Sequence, residues 1–267
     1  MRHNIALMRQ RLIRENDPKP GMSVATHSRE YPRGSEIPEH AHGSNQLVYA
    51  SRGVMEVSSG HSLWKIPPHF GLWIPARTVH QIKMPEAVSM RTLYLRPTHR
   101  KLPASCTVLH IGTFLRELII EIVRVGRLRK RNRIESALHD LLVAELERAT
   151  PVPTGIVFPR DQRANNVARM VMENPACPIS LKSMCVTAGV SVRTFERTFR
   201  REIGTNFECW RRQMRLMKAI EMLVAGERVK EVAFAVGYQH SGAFVALFRE
   251  TFGTTPKAWI SALERLN

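Results

Sequence analysis

A short pattern of small, glycine and aromatic residues occurs twice near the C-terminus, 48 positions apart. The first copy runs Leu181, Cys185, Gly189, Ser191, Phe195, Phe199 and Gly204; the second runs Val229, Ala233, Gly237, Ser241, Phe244, Phe248 and Gly253. Cys185 or Ala233 stands four positions before a glycine, so a second helix can cross the first closely at the small residue. Gly189 and Gly237 fall where a helix must end with positive φ. Ser191 and Ser241 are placed to cap the helix that follows. Each phenylalanine pair, at i and i+4, marks one buried helical face. One such helical hairpin fits many folds; two of them joined by a single long helix are far more restrictive.

That joining helix is expected over 207–225, where Trp210, Met214, Met217, Ile220 and Leu223 recur at helical spacing and Gly226 follows the end. In the first copy the face opposite the phenylalanines carries Arg193, Arg197, Arg200 and Arg201. An aromatic inner face and a basic outer face after a glycine turn are the pattern of a helix-turn-helix recognition helix. With Gly237-Tyr238, Phe244, Phe248-Arg249, Phe252-Gly253, Thr255-Pro256 and Trp259, the stretch 161–267 resembles the AraC/XylS family of transcription regulators. The resemblance implies two recognition helices that enter successive major grooves, roughly 34 Å apart. The chain departs from the family pattern at His240 and Gly242, where Ser is usual, and at Ile260, where Arg is common. Those departures bear on what the second recognition helix touches.

Charge points to the same class of partner. Lys and Arg number 40 against 23 Asp and Glu, a net +17. Such an excess favours double-stranded DNA over an anionic membrane, because no long amphipathic or apolar segment accompanies it. The excess is not confined to the C-terminal part, since residues 1–160 alone hold 24 basic and 13 acidic residues. Cys106, Cys177, Cys185 and Cys209 show no C-x-x-C spacing and read as reduced, buried thiols of a cytoplasmic protein. Residues 1–16 are basic with scattered apolar positions, which is not a signal peptide.

Between 36 and 96, strand-like runs at 46–50, 54–57, 62–66, 72–74, 79–84 and 89–95 alternate with turn residues such as Gly53, Gly60, Pro67, Pro68 and Pro75. Short strands at close spacing predict a sandwich or barrel. Within this region lie His40-Ala41-His42-Gly43-Ser44-Asn45-Gln46, with Gly53 beyond, and Pro75-Ala76-Arg77-Thr78-Val79-His80. These resemble the double motif of cupin barrels, with Gln46 in place of the usual Glu and Arg77 in place of the usual Gly. A cupin barrel before the DNA-binding domain is a common AraC-type arrangement, so the two resemblances support each other. On an extended segment His40 and His42 point the same way. If that way is inward, His80 adds a third nitrogen and Gln46 an oxygen, a set suited to a divalent transition metal such as Ni, Zn, Fe or Mn. The alternative is a metal-free pocket for an organic effector. Trp73, in the apolar run 66–75, is either a wall of that pocket or ordinary barrel core; His61 and His69 read as surface or loop residues.

Residues 112–149 carry two amphipathic stripes, Phe114, Leu115, Leu118, Ile119, Ile122 and then Ile134, Leu138, Leu141, Leu142, Leu146. Helices after the barrel commonly dimerise in this family. The basic run 124–133 between them is a DNA contact or a solvated turn. The expected organisation is an α+β, two-domain chain: an N-terminal arm 1–35, a cupin-like sensor barrel 36–110, a helical dimerisation segment 111–149, a Pro/Gly-rich linker 150–160 and an all-α double helix-turn-helix domain 161–267.

The leading reading is a cytoplasmic, homodimeric, sequence-specific transcription regulator that takes a small-molecule or metal effector in its barrel and, if an activator, meets RNA polymerase. Base-edge candidates are Arg193, Glu196 and Arg197 in the first recognition helix and His240, Ser241 and Ala243 in the second; Arg can hold a guanine bidentately and Glu can accept from a cytosine amino group. Phosphate candidates are Ser191, Arg200, Arg201, Arg249 and Lys257. No second carboxylate or acid–base partner accompanies the histidines, so no catalytic residues are expected. A cupin metalloenzyme fused to a DNA-binding tail and a non-specific nucleoid-type binder are the alternatives.

Overall fold

The computed structural model describes residues 16–98, 101–149, 151–152 and 155–264. Residues 1–15 of the expected arm and residues 150, 153 and 154 of the expected linker lie outside them. In chain order the strands are β1 (Met22–Tyr31), β2 (Ser35–His40), β3 (Asn45–Arg52), β4 (Met55–Ser59), β5 (Ser62–Ile66), β6 (Phe70–Ile74), β7 (His80–Met84), β8 (Val88–Leu95), β9 (Thr107–His110), β10 (Arg127–Arg129) and β11 (Gly155–Val157). The helices are α1 (Thr113–Val125), α2 (Arg133–Arg148), α3 (Gln162–Glu173), α4 (Leu181–Thr187), α5 (Val192–Ile203), α6 (Phe207–Val224), α7 (Val229–Ala235), α8 (Ser241–Phe252) and α9 (Pro256–Glu264). No helix among the described residues is long and apolar enough to cross a membrane.

The strands form two antiparallel sheets, one in the order β10-β1-β8-β3-β6-β9 and the other in the order β11-β5-β4-β7-β2. Side chains alternate between faces along each strand. Val48, Leu72 and Met90 of the first sheet and Met55, Ile66 and Ile82 of the second therefore share one buried inner core. Residues of opposite parity, Leu47, Trp73 and Leu93, point outward and are buried against Leu115, Ile119, Ile122, Leu142 and Leu146 of α1 and α2. Trp73 is thus core between sheet and helices, with its Nε1 donating to the Pro103 carbonyl at 2.9 Å, and does not wall a pocket inside the barrel.

All six expected strand runs appear. The sheets also recruit segments that were expected to lie outside them. The arm contains β1, held to β8 from Val24↔Leu95 through Tyr31↔Val88. Its apolar residues cluster at one end, so no alternation announces it. The basic run 124–133 contains β10, where only Leu128 is buried. The linker contains β11, where only Ile156 is buried. Strands of three residues carry too little pattern to be read.

The helical half has two cores. Val167, Phe195, Phe199, Trp210 and Met214 belong to one. Ile220, Val232, Phe244, Phe248 and Trp259 belong to another that is continuous with the barrel interior. Phe70 of β6 makes the junction, with its ring 5.9 Å from Phe252 and 6.4 Å from Trp259. β11 adds a second tie: it pairs with β5 in register Ile156↔Leu63, while its Gly155 and Val157 carbonyls accept from Gln213 Nε2 at 2.9 Å and Trp210 Nε1 at 2.8 Å on α6. Gly155 is required there, because a Cβ would stand 2.3 Å from Trp64 Nε1. Further along α6, Glu221 pairs with Lys65 of β5, whose ammonium also lies 3.1 Å from Glu56. Of the cysteines, Cys185 is buried between α4 and its neighbours, but Cys209 is exposed on the first turn of α6, and Cys106 and Cys177 are half-buried.

Candidate nucleic-acid interface and histidine site

In the first helix-turn-helix, Ser180 caps α4 by accepting from Ser183 N, and Ser191 caps α5 by accepting from Thr194 N at 3.2 Å. Gly189 takes φ +67 between them. Phe195 and Phe199 are fully buried with rings 5.2 Å apart, and both pack against Phe207. That locks the inner face of α5 and leaves Arg193, Glu196, Arg197, Arg200 and Arg201 exposed. Arg201 pairs with Glu202 at 3.2 Å. Arg193, Arg197 and Arg200 make no ion pair among the described residues, so three guanidiniums at helical spacing present their donors to solvent.

In the second, Gly237 takes φ +90, and a Cβ there would stand 3.1 Å from Ala176 Cα. Phe244 and Phe248 are fully buried. The helix start differs from expectation: the cap position of α8 is His240, at φ −131, with no side-chain cap bond, and Ser241 is already the first helical residue. The helix begins one residue early, so the Ser241 hydroxyl has no free amide two or three positions on in capping geometry. Gly242, Ala243, Ala246 and Arg249 are exposed along α8, with His240 just before it and Lys257 on α9. This face is short of hydrogen-bonding groups compared with α5.

The barrel gathers His40, His42 and His80 into one buried cluster whose candidate ligand atoms all lie within 4.8 Å of one another. A bulge in β2 between Ile37 and His40 sets His40 directly across from His80 on β7. The two rings are 4.3 Å apart, and His42 is 4.8 Å from His40 and 5.7 Å from His80. His40 Nδ1 lies 2.7 Å from the Pro38 carbonyl and His80 Nδ1 2.9 Å from the Thr78 carbonyl. A carbonyl only accepts, so both Nδ1 atoms carry the proton and both Nε2 atoms keep a lone pair. His80 Nε2 is buried without a hydrogen-bond partner. Burial pushes the His80 imidazole down to about 3, against the opposing Thr78 bond, and lowers that of His40 in the same way. Both are neutral, as ligands must be.

Gln46 is buried on the same inward parity as Val48, with Nε2 3.4 Å from the Tyr94 hydroxyl and Oε1 unpartnered. Tyr94 packs edge-on against His42 at 4.8 Å. Tyr94, which the sequence reading missed, reaches the site through the Gln46↔Tyr94 register of β3 and β8, and nothing in its sequence neighbourhood signals it. The two motif loops are sewn together: Arg77 N donates to the His42 carbonyl at 2.7 Å and Ala76 N to Asn45 Oδ1 at 2.9 Å. Arg77 keeps φ +64, the left-handed geometry that the usual glycine provides freely, at a cost of about 1 kcal/mol. Asp17 accepts from the Gly43 and Ser44 amides, and a Cβ on Gly43 would stand 2.7 Å from its Oδ2, so the end of the expected arm braces the first motif. His61 is exposed as expected. His69 is not a surface residue: it is 9% exposed and held at φ +72.

The family profile described as a helix-turn-helix domain matches residues 184–262. The HTH-type transcriptional regulator NimR of Escherichia coli is 26% identical over 226 residues, covering 85% of this chain and 83% of that protein. The HTH-type transcriptional regulator RipA of Corynebacterium glutamicum is 32% identical over 102 residues, 38% of this chain and 31% of that one. Among solved structures, ToxT of Vibrio cholerae aligns over 90% of this chain and 99% of its own, with 10% identity and a TM-score of 0.39.

Proposed function

We propose, from the premise that the chain carries an AraC-family helix-turn-helix domain, that it is a sequence-specific transcription regulator which reads DNA mainly through α5 and senses an effector through a cupin-type barrel. The single observation that carries the reading is the outer face of α5, where Arg193, Glu196 and Arg197 stand exposed on a helix whose inner face is fixed in a core. Arg200, Arg249, Lys257 and the amide-rich start of α5 at Ser191 are the phosphate contacts, with Arg201 beside them. The relatives are named as regulators, which favours a regulator over a cupin metalloenzyme. The test is the ratio of affinities for a selected operator and for scrambled DNA at fixed salt. A ratio of about 10³ or more is expected; equal affinities would leave the nucleoid-type binder as the better reading.

The residues at the histidine cluster fit a divalent transition metal. His40, His42 and His80 would hold it, with the Gln46 carbonyl oxygen as a fourth donor, and the bonds from Nδ1 to the Pro38 and Thr78 carbonyls fix the tautomer and orientation of the His40 and His80 rings. A bound metal supplies a Lewis-acid coordination position for an effector inside the barrel. Elemental analysis of protein purified without an affinity tag should show near-stoichiometric metal that His40→Ala and His80→Ala remove; protein that stays metal-free in Ni, Zn, Fe and Mn supplements would make this a metal-free pocket.

Dimerisation through 111–149 is the third part of the proposal. Ile134 is 73% exposed and Leu141 39% exposed, on one face of α2 with Ala137 and Leu138. Ile134→Glu should shift the sedimentation coefficient toward the monomer; an unchanged coefficient would place the dimer seam elsewhere.

A further inference from the structure

The stretch 124–133 between α1 and α2 holds six basic residues and no acidic one. Blocks of like charge repel and usually stay unfolded; this one is built. Gly126 closes α1 at φ +82, with its N–H on the Ile122 carbonyl. β10 then pairs with β1 in the register Val24↔Leu128 and Ala25↔Arg127, and Leu128 is buried in the core shared with α1 and α2. Lys130 N donates to the Gly21 carbonyl at 3.0 Å, and Asn132 caps α2. Arg127, Arg129, Lys130, Arg131 and Arg133 all stand exposed on this frame. Among the described residues none of the five side chains makes an ion pair or a hydrogen bond. The nearby carboxylates are already engaged: Glu121 pairs with Arg124 at 2.7 Å, and Glu135 accepts from the Arg129 backbone amide. Local electrostatics disfavour the arrangement. Arg133 is the first residue of α2, and Lys130 and Arg131 lie just before it, where the open amides of a helix favour anions. Arg96 adds another positive charge beside the Met22↔Arg129 pair, since its guanidinium donates to the Met22 and Lys19 carbonyls at 3.0 and 2.8 Å and meets no carboxylate there. The cations therefore do nothing for the hairpin that carries them.

We infer that this ridge is a second, sequence-independent DNA surface, which takes the phosphates of duplex flanking the operator. Four of its five unpaired cations are arginines, whose planar forks hold phosphate oxygens two at a time. β10 lies at one edge of its sheet, whereas the helical half docks on β6 near the other edge and on β11. The ridge and the recognition helices thus stand towards opposite edges of that sheet, and the ridge meets duplex beyond the two grooves that α5 and α8 would read. Once the helical half holds the operator, the flank is tethered beside the barrel at high effective concentration, so contacts that are weak one by one add affinity. The inference rests on the reading of the chain as a DNA-binding regulator.

The test uses the full chain and two duplexes: a selected operator of about 20 bp, and the same operator with about 20 bp of arbitrary sequence on each side. The parent should bind the long duplex tighter by about tenfold or more, with a steeper log–log salt slope. The variant carrying Arg129→Gln, Lys130→Gln and Arg131→Gln should bind the short duplex as the parent does and lose the gain on the long one. Its salt slope on the long duplex should fall by about two to three units. Lys130→Glu, a single change in the turn, should lose part of the same gain and carries the test if the triple variant does not fold. A parent that binds both lengths alike overturns the inference, as does a folded variant that keeps the gain. Equal loss on both lengths overturns it too, by placing the run at the dimer seam or against the operator itself. If the parent but not the variant binds phosphatidylserine–phosphatidylcholine vesicles and shows no flank effect, the ridge faces a membrane surface instead. Equal affinity for operator and scrambled short duplexes sinks the regulator reading; a firm operator preference without a flank effect sinks only this one.

Discussion

In the first helix-turn-helix, α5 starts at a serine cap and shows Arg193, Glu196, Arg197 and Arg200 to solvent; in the second, α8 starts at His240 with no side-chain cap and shows Gly242, Ala243 and Ala246. Their surroundings differ as much as their surfaces. Phe195 and Phe199 pack within the helical half, on Phe207 and Trp210. Phe248 packs on Phe252 and Trp259, which touch Phe70 of the barrel. Both copies keep the glycine turn and the i, i+4 phenylalanine pair, so the backbone plan alone does not fix what a copy does. Base discrimination requires donors and acceptors in the groove. The first copy presents more of them and meets the barrel through Ile156 and Val157 of β11; the second presents fewer and shares its core with the barrel interior. On the function proposed above, the first copy is the reader and the second the coupler.

The largest effects that could break this division are in the two cores. Phe199→Ala and Phe248→Ala should each cost about 3–5 kcal/mol. Only Phe248→Ala should also lower the barrel's own unfolding transition, read separately from the helices by near- and far-ultraviolet circular dichroism. If Phe199→Ala lowers it equally, the second copy is no more coupled than the first. Next, Arg197→Ala should cost about 1–3 kcal/mol of operator affinity and relax preference at one or two base pairs, while Ala246→Ser changes little. A scan of operator positions against each variant decides it; strictest base pairs lying under residues 240–246 would reverse the roles. Caps come third. Ser191→Ala should destabilise by about 1 kcal/mol, and His240→Ser should stabilise by a few tenths to about 1 kcal/mol, in urea titrations. A His240→Ser variant no more stable than the parent would mean that the uncapped start of α8 carries no cost. The smallest effect is Arg249→Ala, which should weaken all sequences alike and reduce the log–log salt slope by about one unit; a sequence-selective loss would make Arg249 a base contact.

What could be read in the sequence follows the range of the forces involved. Gly189, Gly237 and the phenylalanine pairs act within one or two turns of chain, so their spacing announced the helix-turn-helix halves. The histidine cluster depends on pairing His40 across from His80, which no local pattern encodes; the resemblance to the cupin motif brought those residues together on the page. Gln46 stood in that motif, but its neighbour Tyr94 did not. The face taken by Trp73 depends on strand parity within an apolar run that fits either side. His69 does lie in the turn between β5 and β6, but its burial at positive φ leaves no mark in composition. Ser241 was placed as a cap by analogy with Ser191, and the one-residue difference in where α8 begins lies below what spacing can resolve.

Because β11 hydrogen-bonds to β5 on one side and receives Trp210 and Gln213 on the other, the seam between the two halves does not coincide with a place to cut. A fragment starting at residue 161 would strip Trp210 and Gln213 of their acceptors. A fragment ending at residue 149 would leave the β5 edge bare, an invitation to intermolecular strand pairing. Chimaeras that exchange sensors or readers should carry 155–157 with the barrel and supply a matching Trp and Gln on the incoming helix.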